Sequence, residues 1–346
     1  MAAHIKLMLL HVQIVVLVHQ YVLSTQLVHS NYISGKIKRM FHIVWSILFL
    51  SLSMVSCSQS AEVLPFKSVV HTIDDTVVIP VITFSPYSNF LKDHFYYFHK
   101  KAGYEYYKTI SLYNSLSLLI QTYRIYIKAV ELHSDPFEVY ILLYSGDRVF
   151  FSDSDRSSFF YTYPSTQGVY RHNSRIRPKS FVFYDCIYGK SRAEVEANLK
   201  KISIFNRRLN FNRQNNAAAN MENAVNQIVE VAKQDKEIAG WIKSIRTAYT
   251  YTPRNIAETE VKSMHSYGIA LDIRFYREKG YVYWLWSSTF VPEWWDIPME
   301  KRYRMPEKVV SIFESNGFVW GGKWRKFDTM HFEYRPEIIL WNKVRF

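Results

Sequence analysis

The chain has 346 residues, of which 48% are hydrophobic and 21% are charged, a composition that suits one or two folded domains and excludes a largely disordered protein. Lys and Arg outnumber Asp and Glu by 43 to 30, which gives a net charge of +13 and an attraction to polyanions. The sequence has no zinc-finger cysteine spacing, no aromatic RNA-binding signature and no basic helix with leucine heptads, so we expect no nucleic-acid partner. A nucleic-acid binder would show a steep dependence of affinity on salt.

The first 57 residues have the pattern of an export signal. Residues 7–28 are largely apolar, and a second apolar run, 41–55, follows a basic stretch at residues 36–39. A positive flank, an apolar run and small residues at its end are typical of a signal rather than of a membrane span. We therefore expect an exported protein, either periplasmic or anchored to the membrane of the cell envelope.

The end of this segment, Met54-Val55-Ser56-Cys57, resembles a lipobox, in which Cys57 would carry lipid and anchor the mature protein to the membrane. The alternatives are a plain cleaved signal and a translation start at Met40. The remaining cysteine, Cys186, lies among aromatic and aliphatic residues and is predicted to be a buried small side chain rather than a nucleophile. Two cysteines give no disulfide framework.

Residues 58–189 are predicted to be an aromatic-rich, strand-rich accessory domain of unknown role. The stretch from Thr76 to Thr83 is β-branched, and residues 139–144 face 149–151 across Ser145-Gly146-Asp147, which is typical of a hairpin. The apolar residues of 104–126 fit a helix and a strand about equally well.

Residues 190–346 mix helices with strands. Ser191 and Glu194 form a capping box that predicts a short helix to about Lys201. A strand is expected at Arg208–Asn212, and a helix follows it with Met221, Val225, Ile228, Val229 and Ala232 on one face. A third helix after Pro306 buries Val309, Ile312 and Phe313 and ends at Asn316-Gly317. The expected fold class is α+β, a small antiparallel sheet with flanking helices.

The first of two motifs in this region runs from Ser263 to Asp272. As a strand, Gly268 to Asp272 would point Gly268, Ala270 and Asp272 to one face and the aliphatic residues between them into the core. Just upstream, His265 lies in a turn that Ser263 and Ser266 would stabilise. Taken singly, a histidine or an aspartate of this kind carries little weight.

The second motif places His331 and Glu333 on one face of a strand and Asp328 at its entrance. Together the two motifs supply two imidazoles and a carboxylate. Three protein ligands leave a tetrahedral zinc ion with one position for water, which is the arrangement of a catalytic site rather than a structural one.

These motifs, Ser-x-His-x-x-Gly-x-Ala-x-Asp followed by an acid-x-x-His block, resemble the D-alanyl-D-alanine carboxypeptidase and L-alanyl-D-glutamate endopeptidase family of zinc peptidases. The resemblance covers roughly 190–346 and implies that His265, Asp272 and His331 bind Zn²⁺. It also implies that Asp328 is the general base, that Ser263 contacts the substrate, and that Arg254 polarises the substrate carbonyl, with Arg246 as the alternative for this last role.

The family implies a peptidase that hydrolyses an amide bond in peptidoglycan stem peptides through attack of zinc-bound water assisted by Asp328. The sequence Trp320-Gly321-Gly322-Lys323-Trp324 and the aspartate before the last ligand are closer to the endopeptidase branch. Glu333 either orients a ligand or forms a salt bridge. Tryptophans that either line a substrate groove or pack in the core are Trp284, Trp286, Trp294, Trp295 and Trp324.

The alternative to catalysis is a cell-envelope binding protein that keeps the peptidase fold without its activity. Retention of Asp328 and of all three ligands in this sequence favours the enzyme, because a binding protein need not keep the base. The sequence leaves the oligomeric state and the bond that is cut open.

Overall fold

The structure is a computed structural model, and it describes residues 71–73, 76–80, 106–134, 137–151, 163, 182–257, 259–324 and 326–343. The predictions on the export signal, on lipid at Cys57 and on a start at Met40 fall outside these residues. Within them, no helix has the length and apolar character needed to cross a bilayer.

The upstream part of the described chain is a five-stranded antiparallel sheet with strands in sequence order. In β3, Val130 and Leu132 are buried while Glu131 and His133 alternate with them on the other face, as strand geometry requires. The predicted hairpin is confirmed, since β4 pairs with β5. The strands are β1 (His71–Ile73), β2 (Thr76–Pro80), β3 (Ile127–Ser134), β4 (Phe137–Leu143) and β5 (Arg148–Phe150).

Helix α1 (Tyr106–Tyr123) decides the ambiguity of residues 104–126 in favour of a helix. Every residue from 112 to 120 is buried, including Asn114, Ser115 and Ser117. A helix that is buried on all sides lacks the one-sided apolar stripe that identifies surface helices, which is why its sequence fitted two structures equally.

The downstream part begins with the predicted capping box. The Ser191 side chain accepts a hydrogen bond from the Glu194 amide, and Glu194 accepts one from the amide of Lys190. The helix ends at Ala197 rather than near Lys201, so the predicted length was wrong. Residues 199–204 instead pair with 207–212 in a hairpin, because Ile202 and Ile204 bury their side chains there.

The helices and strands of this part alternate along the chain. They are α2 (Val182–Tyr188), α3 (Arg192–Ala197), β6 (Leu199–Ile204), β7 (Arg207–Asn212), α4 (Ala217–Ala232), α5 (Lys236–Ser244), β8 (Ile245–Tyr249), β9 (Ala270–Phe275), α6 (Trp284–Ser287), α7 (Glu307–Ser315), β10 (Phe318–Trp320), β11 (His331–Tyr334) and α8 (Pro336–Lys343). Strands β10, β11, β9 and β8 form an antiparallel sheet in that order.

The predicted helix at 221–232 and the one after Pro306 are both present. Helix α7 buries Val309 and Phe313 and leaves Ile312 partly exposed, and the chain leaves the helix at Gly317 with a φ of 86°. A left-handed glycine at this position is a common helix stop. These elements confirm the α+β fold class with small antiparallel sheets.

One hydrophobic core joins the described residues on both sides of residue 190, from Ile79 and α1 through α4 to β11. The division into an accessory domain of residues 58–189 and a catalytic domain of 190–346 stays a prediction.

Candidate metal centre

His265 lies on a single turn of 3₁₀ helix, Met264–Tyr267, between β8 and β9. The Ser263 hydroxyl accepts from the His265 amide at 3.3 Å, as an N-cap does, and Ser266 accepts from the Arg254 amide at 2.8 Å. The turn ends at Gly268 with a φ of 68°. A Cβ there would lie 2.6 Å from a methyl group of Leu199, so Gly268 belongs to the turn and not, as predicted, to the strand.

The sheet register places the other two predicted ligands side by side. His331 on β11 is the direct partner of Asp272 on the adjacent strand β9, and paired residues on antiparallel strands project to the same face. His331 Nδ1 lies 2.8 Å from Asp272 Oδ1. His265 Nε2 lies 3.1 Å from Asp272 Oδ2 and 3.3 Å from His331 Nδ1.

Both imidazoles are oriented by a group behind the ring. The Thr250 carbonyl, 2.5 Å from His265 Nδ1, can only accept, so this nitrogen carries the proton and Nε2 faces the centre. His331 has the opposite arrangement, because its Nε2 lies 3.1 Å from the Glu333 carboxylate and its Nδ1 faces the centre. Such partners fix the ring orientation and the tautomer of a metal ligand. One donor atom from each of His265, Asp272 and His331 therefore lies within 4.8 Å of the other two.

The electrostatics of the cluster are those of a site with excess negative charge. Burial by itself would lower the pKa of His331, but Asp272 and Glu333 raise it to about 10. Burial would raise the pKa of Asp272, but the imidazoles of His265 and His331 hold it well below its usual range. In the absence of a metal, a proton on His331 is thus stabilised by the same carboxylates that would favour a cation.

The donor set and the charge balance both fit a divalent ion. Asp272, Glu333 and Glu337 carry three negative charges and Arg335 one positive charge, and these side chains are at most 13% exposed. With neutral imidazoles, this buried group has a net charge of −2, which a dication neutralises. Two nitrogens and one oxygen are ligands that zinc accepts in catalytic sites.

Asp272 and His331 line a cavity of about 190 Å³, and the His265 donor atom lies within 4.8 Å of theirs. Asp328 lies on the wall of this cavity and forms an isolated β-bridge with Tyr283. The Asp328 amide donates a hydrogen bond to the Gly321 carbonyl at 3.0 Å. A Cβ at Gly321 would lie 2.6 Å from the Asp328 carbonyl oxygen, so this glycine permits the close approach of the two backbone segments.

The remaining predicted residues also face the cavity. Ser263 and Arg254 both line it, and the exposed Arg254 guanidinium lies 3.9 Å from the Asp272 carboxylate. Arg246, the alternative to Arg254, lies on β8 and is not among the described residues that line the cavity. The structure thus brings Asp328, Arg254 and Ser263 to the three donors, while the roles assigned to them stay predictions.

The five tryptophans divide between the core and the surface. Trp324 is buried and lines the cavity together with Trp284, whose ring centroid lies 5.1 Å from that of Trp294 with the two rings tilted by 44°. Trp286 and Trp295 are 43% and 37% exposed. Lys326, which the sequence analysis did not single out, also lines the cavity, with its ammonium 4.3 Å from the Trp284 ring.

A larger groove of about 990 Å³ lies between α5 and α7. It contains none of the predicted ligands, and its ion pair between Lys323 and Glu314 is already satisfied at 2.6 Å. Volume alone therefore does not identify the functional site.

The sequence analysis missed two side chains behind the candidate metal centre, those of Arg335 and Glu337. Arg335 donates to Glu333 at 3.2 Å and to Glu337 at 2.5 Å. The alternation of charge from Glu333 through Arg335 to Glu337 was a usable signal, although the strand ends at Tyr334 and Glu337 lies on α8. Glu333 contacts His331 and forms a salt bridge with Arg335, while its role in orienting a metal ligand stays a prediction.

Comparison with known proteins is informative for the carboxyl-terminal part. Residues 257–334 match the family model described as D-alanyl-D-alanine carboxypeptidase. No curated protein and no solved structure matches the chain. The matched segment contains His265, Asp272, Asp328 and His331 but begins after Arg254. Residues 257–334 are therefore similar to the D-alanyl-D-alanine carboxypeptidase family, as the two sequence motifs indicated.

Proposed function

We propose that this chain hydrolyses an amide bond in peptidoglycan stem peptides, with zinc held by His265, Asp272 and His331. The observation that carries the proposal is the convergence of one donor atom from each of these residues beside a cavity that Asp272, His331 and Asp328 line. The family match supports a peptidase that acts on peptidoglycan.

Bound zinc would supply a Lewis acid that makes water nucleophilic near neutral pH and polarises a carbonyl group. The protein contributes by holding the donors in place. Thr250 fixes the ring of His265 and Glu333 fixes that of His331, so both imidazoles are oriented before the ion binds.

Asp328 is the base in this proposal. Its carboxylate takes one proton from the attacking water as the new carbon–oxygen bond forms. It returns that proton to the leaving nitrogen as the carbon–nitrogen bond breaks, and the second proton of the water passes from the new carboxylic acid to the amine, so the products are a carboxylate and an ammonium group. Proton transfer of this kind contributes about 10²–10⁴ in rate. The backbone contact with Gly321 keeps Asp328 on the cavity wall.

Arg254 is suited to stabilise the negative charge that develops on the substrate carbonyl oxygen. Its guanidinium lines the cavity next to Asp272, and its backbone is held through Ser266. A donor directed at the oxygen where charge develops is commonly the largest single contribution to catalysis. Ser263, on the same cavity, is the proposed substrate contact.

The substrate class divides into two cases. The aspartate at position 328 and the Trp-Gly-Gly-x-Trp sequence favour an endopeptidase that cuts an L,D bond, while the matched family model favours cleavage of a terminal D-alanine. Mass spectrometry of the products formed from a pentapeptide muropeptide distinguishes them, because only the second reaction releases free D-alanine.

The test uses purified protein, defined muropeptides and a chelator, with Asp328→Asn as the variant. We expect cleavage that stops on metal removal, returns with zinc, and falls about 10²–10⁴-fold in Asp328→Asn with unchanged zinc content. Asp147→Asn, in the β4–β5 turn, is the matched control and should keep full activity. Zinc binding without cleavage of any stem peptide would favour the alternative, a non-catalytic envelope binding protein.

Export and membrane anchorage through lipid on Cys57 are proposals from the sequence. Fractionation of cells that express the full chain or Cys57→Ala tests them, since loss of the lipid would move the protein from the membrane to the soluble fraction. A chain started at Met40 that fractionates like the full chain would support that start.

A further inference from the structure

A buried series of side chains extends away from the candidate metal centre behind His331. Glu333 accepts from His331 Nε2 with one carboxylate oxygen and from Arg335 with the other, at 3.1 and 3.2 Å. Arg335 bridges to Glu337 at 2.5 Å. Glu333 and Glu337 are fully buried and Arg335 is 2% exposed. Groups buried this deeply depend on their partners, because unpaired charges are costly away from water.

The series ends on two tyrosines that are far away in the sequence. Tyr184 donates to Glu337 Oε1 at 2.7 Å, and Tyr123 donates to Glu337 Oε2 at 2.9 Å. Both rings are fully buried. Tyr123 is the last residue of α1 and Tyr184 lies in α2, so both precede the family-matched residues 257–334.

These hydroxyls determine how strongly Glu337 attracts Arg335. Arg335 lies between two carboxylates and is 0.7 Å closer to Glu337 than to Glu333, from distances of 2.5 and 3.2 Å. The phenol hydrogens stabilise part of the negative charge of Glu337. Without them, the side chain of Glu337 would keep only Arg335 among its partners in the described residues, and the guanidinium would turn further N–H groups from Glu333 towards the vacated carboxylate oxygen. Glu333 would then lose its hydrogen bond from Arg335, one of the contacts on the carboxylate that faces His331.

We propose that Tyr123 and Tyr184 are positioning residues for the metal ligand His331 and act through Glu337, Arg335 and Glu333. The inference rests on the metal-binding part of the proposed function and not on peptide cleavage. It assigns to α1 and α2 a role in the geometry of a centre whose ligands all lie in the matched segment. Loss of an outer partner of a ligating histidine typically weakens metal binding about 10–100-fold.

The experiment titrates the metal-free full-length protein with Co²⁺ and records both the visible spectrum of the bound ion and its dissociation constant. We expect Tyr123→Phe and Tyr184→Phe to raise the dissociation constant about 3-fold each and about 10-fold together. The spectrum of the double variant should also change, because the His331 ring is no longer held in one orientation. Tyr126→Phe is the control, since it removes a hydroxyl that bonds to Gln214 and Asn215 instead.

A rescue variant separates positioning from a general loss of stability. Adding Glu337→Gln to the double variant removes the charge that attracts Arg335, so affinity and spectrum should return to near the wild-type values. Binding in the double variant equal to that of Tyr126→Phe would overturn the inference, as would a triple variant as weak as the double one. If the double variant does not fold, the same comparison of cobalt affinity and spectrum is made between each single variant and Tyr126→Phe. Tyr184→Phe/Glu337→Gln then serves as the rescue variant.

The outcome is independent of the proposed reaction. Cobalt binding that depends on the tyrosines, in a protein that cleaves no stem peptide, would support this inference and refute the peptidase. Cleavage that persists with cobalt binding indifferent to the tyrosines would do the reverse. A wild-type protein that binds no Co²⁺ would refute both.

Discussion

Replacing Glu333 by glutamine removes one negative charge behind His331 while keeping the size and shape of the side chain. The amide can present its oxygen to only one of its two present donors, His331 Nε2 and Arg335 Nη1. If the oxygen faces His331, the NH₂ group faces the guanidinium, and two donors meet. If the oxygen faces Arg335, the NH₂ group faces His331 Nε2 and favours the proton on Nδ1, which is the atom directed at the metal.

The expected loss of zinc affinity in Glu333→Gln is estimated from the loss of one charge-assisted hydrogen bond, which is worth about 1.5–3 kcal/mol. Since about 1.4 kcal/mol is a factor of ten in an equilibrium constant, we expect zinc affinity in Glu333→Gln to fall about 10–100-fold. The balance of the buried charges changes in the same direction, because the net charge available to the ion falls from −2 to −1.

The assay is a competition titration with a chromophoric chelator at fixed pH, followed by peptidase activity at saturating zinc. Glu314→Gln is the matched control, because Glu314 also accepts from a buried cation, Lys323, at 2.6 Å but contacts no ligand. A folded Glu333→Gln protein whose zinc affinity lies within twofold of wild type would show that His331 does not depend on this contact.

Three further outcomes are expected. Gly321→Ala should lower kcat at least about 10-fold at unchanged zinc content, because its Cβ would meet the Asp328 carbonyl at 2.6 Å; steady-state kinetics with metal analysis would contradict this if kcat were unchanged. Gly268→Ala should lower the free energy of unfolding by about 1–3 kcal/mol in urea titrations, since the residue has a φ of 68° and a Cβ would contact Leu199; an unchanged midpoint would refute the strain argument. Alkylation of Cys186, followed by peptide mapping, should be slow at pH 8 and still accelerate towards pH 11, because burial raises the pKa of this thiol to about 11. An alkylation rate that levels off near pH 8.5 in the folded protein would contradict this prediction.

The grouping of His265, Asp272 and His331, the candidate metal ligands, was predictable because each motif holds its residues close together in sequence. Ser263 caps the turn that carries His265. In the extended stretch that follows, small residues precede Asp272. The second motif works in the same way, with Asp328 at the entrance of the strand that begins at His331. Local patterns of this kind depend on hydrogen bonds within a few residues, which a sequence displays directly.

The errors arise where tertiary packing decides. Gly268 looked like a strand residue because it continues an alternating pattern, but the close approach of Leu199 and the end of the turn hold it at a positive φ. Helix α3 was predicted too long because residues 199–201 fit a helix locally, whereas their pairing with β7 is a contact with another segment. Neither the contact of Leu199 with Gly268 nor the pairing with β7 can be recognised from a short window of sequence.

The buried side chains behind His331 include some that the local sequence indicated and others that it did not. Glu333, Arg335 and Glu337 follow His331 at intervals of two, so their alternating charges could be recognised locally. The phenols that complete the series are 214 and 153 residues away from Glu337, and no pattern near either tyrosine points to it. A buried carboxylate pair with one guanidinium between them is costly in isolation, so the local series is stable only where distant groups supply the remaining donors. If His331 is a metal ligand, its orientation therefore depends on contacts of α1 and α2 with α8, and all three helices lie outside the matched segment.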